Sequence, residues 1–407
     1  MSTPRRTIPS QGEFIVLIAM MFACIAFSID AILPALPDIG SSLSPADPNR
    51  TQLIISAFIL GMGIGTFFTG PLSDAFGRKP VLLWGLALYG VAGIAGYFAQ
   101  SLDVILITRV LMGLGVAAPC VVGVAIVRDL YAGRDMARII SLAMTIFTIV
   151  PAFAPLLGTG IIWISGWRGI FIAFAIFGAI IAVWTALRIE EPLAVEDRRP
   201  LSLPLIWGAV REMAKYPAFR LPLLCLALCQ GMLFTMIVLV QPVYDVVFDK
   251  AESFPLWFMG VALISGTASY VNARIVVRLG MRKVVIWSLG LQTIASALML
   301  LSTQLDLGTA AFPLFLLWQV SVFFMVGVTM GNLNSIALEP LGHIAGIGAS
   351  IMGAVSTVLS AVIAAGTGQM FDGTIVPLVA GVLVNVTFGF LCMLWLARSE
   401  ARTTATA

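Results

Sequence analysis

Charge is scarce in this chain: 23 Lys and Arg and 20 Asp and Glu among 407 residues leave 11% charged against 60% hydrophobic. Globular domains in water usually carry about 25% charged residues. With a mean hydropathy of +1.03, the apolar groups cannot all hide in one water-facing core, so the chain reads as an integral membrane protein. Histidine occurs once and cysteine five times. Cys24, Cys120, Cys225, Cys229 and Cys392 lie in apolar runs, where a free thiol behaves as a small hydrophobe. Cys225 and Cys229 share a helix face, but no His or third Cys is near enough to complete a zinc site, and no metal is expected. No basic block interleaved with aromatics is present, which excludes nucleic acid as a partner. Long polar segments are missing too. The longest, 188–220, is shorter than the roughly 50 residues an independent domain needs, and no catalytic constellation or cofactor motif is visible. An enzyme is therefore not expected, and any function must be built among the apolar segments.

Those segments are plain. Twelve hydrophobic runs begin near residues 14, 52, 81, 103, 139, 168, 221, 255, 284, 310, 345 and 374. Most are about 19 to 28 residues long, the length a helix needs to cross a hydrocarbon core of about 30 Å. Continuous apolar runs exclude an outer-membrane barrel, whose strands would alternate in polarity. The expected fold is an all-α polytopic membrane protein with twelve transmembrane helices in two six-helix bundles. The first bundle would occupy 1–187, a cytoplasmic linker 188–220, and the second bundle 221–407. Within the linker an amphipathic stretch, 204–215, would lie in the interface with Leu205, Ile206 and Trp207 towards lipid.

Placing the N-terminus in the cytoplasm puts 19 of the 23 Lys and Arg residues on the cytoplasmic side. Arg50, Arg168 and Lys250 fall outside, and Arg109 lies within a span. That asymmetry orients both termini inwards. Arg5 and Arg6 ahead of the first run imitate a signal peptide, but the run is too long and carries Asp30, so an uncleaved first helix is expected. An internal echo pairs Gly77, Val81 and Trp84 with Gly280, Val284 and Trp287 at a constant offset of 203, as a parallel repeat of the two halves would.

Within the first run, 14–37, Asp30 is a lone carboxylate. At that depth it costs roughly 2.5–3.5 kcal/mol, which marks an ion or substrate pathway. Between the second and third runs stands Gly70-Pro71-Leu72-Ser73-Asp74-Ala75-Phe76-Gly77-Arg78-Lys79-Pro80-Val81. Gly77 permits a tight turn, Pro80 suits a helix start, and Asp74 can pair with Arg78, which together make a conformation-dependent latch. A stop-transfer loop would explain Arg78 and Lys79 but not the order of the string. This string resembles the cytoplasmic signature of the major facilitator superfamily. Arg109 followed by Gly113 and Gly115 resembles the R-x-x-x-G-x-G element of the same family. A buried guanidinium there needs a carboxylate, a carbonyl or cavity water, the alternative being a side chain that snorkels outwards. Pro151, Pro155, Gly158 and Gly160 in the fifth run resemble the hinge motif of its drug-exporting antiporters, although Thr159 interrupts the usual Gly-Gly pair. A packing kink is the simpler account of the same residues.

Three further strings, Ser28-Ile29-Asp30-Ala31-Ile32-Leu33-Pro34-Ala35-Leu36-Pro37, Val127-Arg128-Asp129-Leu130-Tyr131 and Glu339-Pro340-Leu341-Gly342-His343-Ile344-Ala345-Gly346, resemble the Bcr/CflA group of bacterial drug:proton antiporters. That group commonly has Met-Tyr where Ala31-Ile32 stand, so substrate choice can differ. The resemblance implies a proton-coupled exporter of drug-like, largely hydrophobic molecules in the bacterial inner membrane, working as a monomer among lipids with the proton as coupling ion and no cofactor. In such a fold spans 1, 4, 7 and 10 surround the cavity. This makes Asp30 and Arg109 the leading polar pair and Phe27, Met112, Gln230, Phe234, Gln241 and Gln319 the candidate walls. A proton-coupled importer of a small metabolite is the alternative, though the sparse polar inventory favours apolar cargo. His343, four residues after Glu339, is either structural or a sensor of cytoplasmic pH. Gly61, Gly63 and Gly65 imitate a nucleotide-binding pattern, but inside a span they indicate close helix packing.

Overall fold

A backbone in hydrocarbon has no water to bond, so each crossing must satisfy its own N–H and C=O groups, and a helix does this within the segment. The computed structural model describes residues 9–201, 203–213, 215–339 and 345–406. Among these the chain forms fifteen α-helices and no strand: α1 (Gln11–Asp30), α2 (Leu36–Leu43), α3 (Leu53–Phe76), α4 (Arg78–Tyr97), α5 (Leu102–Leu130), α6 (Gly133–Ser165), α7 (Gly169–Arg188), α8 (Leu203–Met213), α9 (Pro217–Pro242), α10 (Phe254–Gly266), α11 (Ala268–Leu279), α12 (Met281–Ser302), α13 (Ala311–Leu338), α14 (Ala345–Gln369) and α15 (Val376–Thr406). They supply twelve segments long and apolar enough to cross a membrane, from Gln11–Leu43 to Val376–Glu400. Their starts follow the apolar runs, the largest difference being the fifth span, which begins at 133 rather than 139.

The first span breaks where the sequence places two prolines. Pro34 has no N–H to offer the Asp30 carbonyl. The helix α1 stops at Asp30, a 3-10 turn covers Leu33–Ala35, and α2 resumes with Pro37 in its first turn. The acidic residue therefore stands at a helix end inside the span. In the seventh span Pro242 closes α9, and a π-helical turn, Val243–Val247, follows.

The chain divides into two compact units, Met1–Ser202 and Leu203–Ala407, and the division falls within the polar stretch 188–220. In the first unit α1 packs on α6, α3 and α4 pack on α5, and α4 packs on α7. In the second, α9 packs on α14, α10 and α11 pack on α13, and α12 packs on α13 and α15. Counted by span within each unit, the pairings are the same: first with fifth, second with fourth, third with fourth and third with sixth. The echo at an offset of 203 thus sits on a real structural repeat. Gly77 (φ 105°, ψ 158°) and Gly280 (φ 80°, ψ 152°) each end one helix and start the next. Each also donates its N–H four residues back, to Ser73 and Val276. At such a positive φ a Cβ is strained, which is why glycine stands at both turns.

The helix α8 forms over the stretch read as amphipathic, while the side chains of Leu205, Ile206 and Trp207 lie outside the described residues. So does His343, with the rest of 340–344.

The glycines inside α3 and α5 let these two helices approach closely. A Cβ on Gly61 would strike the Val110 carbonyl, one on Gly65 would lie 2.8 Å from the Leu114 carbonyl, and one on Gly113 would strike the Phe58 carbonyl. These neighbours are backbone and cannot rotate away. Gly113→Val is therefore expected to lower stability by about 1–3 kcal/mol, read as a lower unfolding temperature of the purified protein in detergent. An unchanged unfolding temperature would contradict the close approach.

Candidate functional site

Arg109 is the largest fully buried side chain among the described residues, at 0% exposure. Its Nη2 donates to the Ser28 carbonyl at 2.8 Å and its Nε to the Ile54 carbonyl at 3.2 Å. The guanidinium carbon lies 4.4 Å from the centre of the Phe58 ring and 5.7 Å from that of Phe174. It does not snorkel. Asp30, at 4% exposure, ends α1 two residues after Ser28, and its Oδ1 has no hydrogen-bond partner among the described residues. Arg109 Nη1 has none either. Both groups are buried in the first unit with no ion pair between them among the described residues, and of the partners left open for the guanidinium the carbonyl is the one it takes. The reason is local. Carbonyls in the last turn of a helix lack intrahelical donors and form its negative end, so the break after Asp30 presents the Ser28 carbonyl to Arg109.

The other wall candidates are distributed as follows. Phe27 is half-buried and packs its ring on Phe174 and Phe177 of α7, each at 5.3 Å, while Met112 is fully buried in α5. In the second unit Gln230 is half-buried on α9, its Oε1 without a partner among the described residues, and Phe234 is buried one turn further on. Gln241 donates to Asp245 at 3.4 Å. Gln319 accepts from the Tyr244 hydroxyl at 2.8 Å, amid the rings of Phe254, Phe312 and Phe315 that surround Tyr244. Its Nε2 is buried with no hydrogen-bond partner among the described residues.

The 70–79 segment, the end of α3, the turn at Gly77 and the start of α4, is a charge network. Arg78, with only 6% of its side chain exposed, pairs with Asp74 and donates from Nε to Asp129 at 2.8 Å. Its Nη1 also reaches the Ser73 hydroxyl at 2.7 Å, and that hydroxyl donates to the Gly70 carbonyl at 2.9 Å. Lys79 donates to the Ala186 carbonyl near the end of α7. The start of α4 is capped from far along the chain: Glu191 accepts the Arg78 and Lys79 N–H groups at 2.9 Å each, and the Leu193 N–H at 3.0 Å. A carboxylate is favoured there because the first N–H groups of a helix are unpaired and carry its positive end. The Arg199 N–H then bonds the Asp74 carbonyl at 3.0 Å. At the end of α7, Arg188 donates twice to Glu13 of α1, and Trp184 donates once to the same carboxylate.

The helix α6 runs unbroken through Pro151 and Pro155. Its two motif glycines differ. A Cβ on Gly158 would strike the Ala31 carbonyl, the residue after Asp30, whereas Gly160 has open space around it. The fifth-span motif thus sets how closely α6 approaches the break beside the buried carboxylate.

The model of the family described as Major Facilitator Superfamily matches residues 16–367. The chain belongs to the Major Facilitator Superfamily. A bicyclomycin resistance protein homolog of Haemophilus influenzae is 26% identical over 369 residues, covering 90% of this chain and 91% of that protein. A multidrug resistance protein, MdtL, of Shewanella oneidensis is 28% identical over 335 residues, covering 82% and 83%. The crystal structure of a D-xylose-proton symporter superposes with a TM-score of 0.72 at 15% identity, covering 94% of this chain and 96% of that one, a likeness of fold.

In this multi-pass membrane transporter of the superfamily, the string around Arg78 is bonded to residues that the sequence signature does not mark. Asp129 lies in one of the strings given above, without a role there, and Glu191 lies in the polar linker 188–220. Neither has a local signal, because each meets Arg78 or its helix across the fold, Glu191 at a separation of 113 residues.

Two outcomes follow from this geometry. Glu191→Ala removes an acceptor of three N–H groups and is expected to destabilise the superfamily fold by about 1–2 kcal/mol, seen as a lower unfolding temperature. Gly158→Ala should slow transport in vesicles while Gly160→Ala leaves it near the wild-type rate. Equal rates for the two variants would refute the role given to Gly158.

Proposed function

We propose that this superfamily member exports drug-like, largely apolar molecules from a bacterial cytoplasm in exchange for incoming protons. The single observation that carries the reading is Asp30: a buried carboxyl with an unpartnered oxygen, at a helix break within the first span, two residues from the carbonyl that holds Arg109. Taking a carboxylate charge out of water is expensive, and a bound proton removes that expense. A carboxyl in this position loads a proton when its surroundings are dry and releases it when water reaches it. Export of apolar cargo is supported by the drug-resistance names of the Haemophilus and Shewanella relatives and by the few buried charges in the chain.

On this reading both termini face the cytoplasm, because 19 of the 23 Lys and Arg residues then lie on that side of the inner membrane. The 70–79 segment is then a cytoplasmic latch, and Gly158 stands where α6 meets the break in the first span. One chain contains both six-span units and acts as a monomer. The driving force suffices. One proton moving down about 100 mV and about one pH unit releases roughly 3.7 kcal/mol, enough for about a 500-fold gradient of a neutral substrate.

Asp30→Asn tests the reading. In proteoliposomes the variant should insert normally and release no protons when substrate is added, whereas wild type does. Release at the wild-type rate would overturn the role of Asp30. Direction is read in inverted vesicles: acidifying the lumen should drive substrate in, and the opposite flux would make the protein an importer.

A further inference from the structure

Tyr89 lies on α4, outside every motif, and is fully buried at 0% exposure. Glycines on two neighbouring helices make room for it. A Cβ on Gly115 of α5 would lie 2.7 Å from the Tyr89 nitrogen and 3.0 Å from its Cβ. One on Gly178 of α7 would lie 2.7 Å from the ring at Cδ1. A phenol buried this deeply needs a partner for its hydroxyl, and it meets the Ser28 hydroxyl at 2.7 Å. The direction of that bond can be worked out. Ser28 has one hydroxyl proton, and it goes to the Cys24 carbonyl at 2.6 Å. Tyr89 is therefore the donor. The same Ser28 presents its carbonyl to Arg109 at 2.8 Å, and Asp30 follows two residues later. Three helices thus converge on one serine: α1 carries it, α4 fixes its side chain and α5 binds its main chain.

We propose that Tyr89 is a positioning residue for the proton site: by holding Ser28 it fixes the last turn of α1, and with it both the carbonyl that binds Arg109 and the direction in which Asp30 points. This rests on the assignment of Asp30 as the proton-coupling group. Tyr89 touches neither substrate nor proton. Its hydroxyl acts through Ser28, while its ring packs in the slot formed by Gly115 and Gly178.

Tyr89→Phe separates these two parts, since it keeps the ring and removes only the hydroxyl. The readout is the ratio of proton-driven substrate flux to substrate-for-substrate exchange in the same proteoliposomes, using a fluorescent cationic dye that the wild type exports. Loss of one hydrogen bond should lower the ratio about fivefold. Ser28→Ala, which keeps the carbonyl for Arg109, should give the same fall, and the double variant should fall no further. A wild-type ratio in Tyr89→Phe, or additive losses in the double variant, overturns the proposal. A parallel loss of both fluxes also overturns it, because that is the mark of packing alone. Asp30→Asn, run alongside, isolates the underlying assignment: if its ratio stays at the wild-type value the assignment of Asp30 fails, and if its ratio collapses while Tyr89→Phe is unaffected only the role of Tyr89 fails.

Discussion

A guanidinium buried away from the surface must be held by whatever the neighbouring helices leave unpaired. In this protein the unpaired group is made by two prolines. Because Pro34 and Pro37 interrupt the first span, α1 ends at Asp30, and the carbonyls of its last turn become acceptors without donors. Arg109 takes one of them, at Ser28, and takes the Ile54 carbonyl of α3 with its Nε. The faces of Phe58 and Phe174 cover the rest, a favourable setting for a cation that is weakly hydrated. Two consequences follow. The cation is stabilised without using the carboxylate, so Asp30 is left to bind something else. And α1, α3 and α5 are joined at one depth, where small displacements of α1 are felt by the arginine.

The two units share a frame but not its charges. Gly77 and Gly280 make the same turn, yet the residues after them part company: Arg78 corresponds to Met281, and Lys79 to Arg282. In the first unit the cation just after the turn is buried between Asp74 and Asp129. In the second it is one residue later and exposed by about a third, and it bridges Glu339 at the end of α13 and Glu400 of α15. A duplicated backbone therefore tolerates different electrostatics, because the turn depends on the positive φ of a glycine and not on the ion pairs built around it.

How much of this was legible in advance depended on range. Twelve spans and their two-fold grouping follow from apolar length, which is a local property. Asp30, Arg109 and Gly77 stand out because each is chemically wrong for its neighbourhood: a charge in a lipid-length run, or a glycine amid a dense string of charges. The sequence leaves the partner of Arg109 open between a carboxylate, a carbonyl and water. Main-chain carbonyls take it, and the one at Ser28 is made available by a helix end that charge counting does not register. Tyr89 and Ser28 were illegible for another reason. Tyrosine and serine are ordinary in apolar helices, and only the fold brings residues 61 apart to 2.7 Å.

The cap on α4 has a consequence for how the polypeptide can be cut. Glu191 lies past the last residue of α7, in what looks like free connecting chain, yet it and the main chain at Arg199 are bonded to the first unit. A gene split at Arg188, to co-express the halves as separate fragments, would strand that carboxylate on the wrong piece. The seam that keeps each fragment whole lies beyond Arg199.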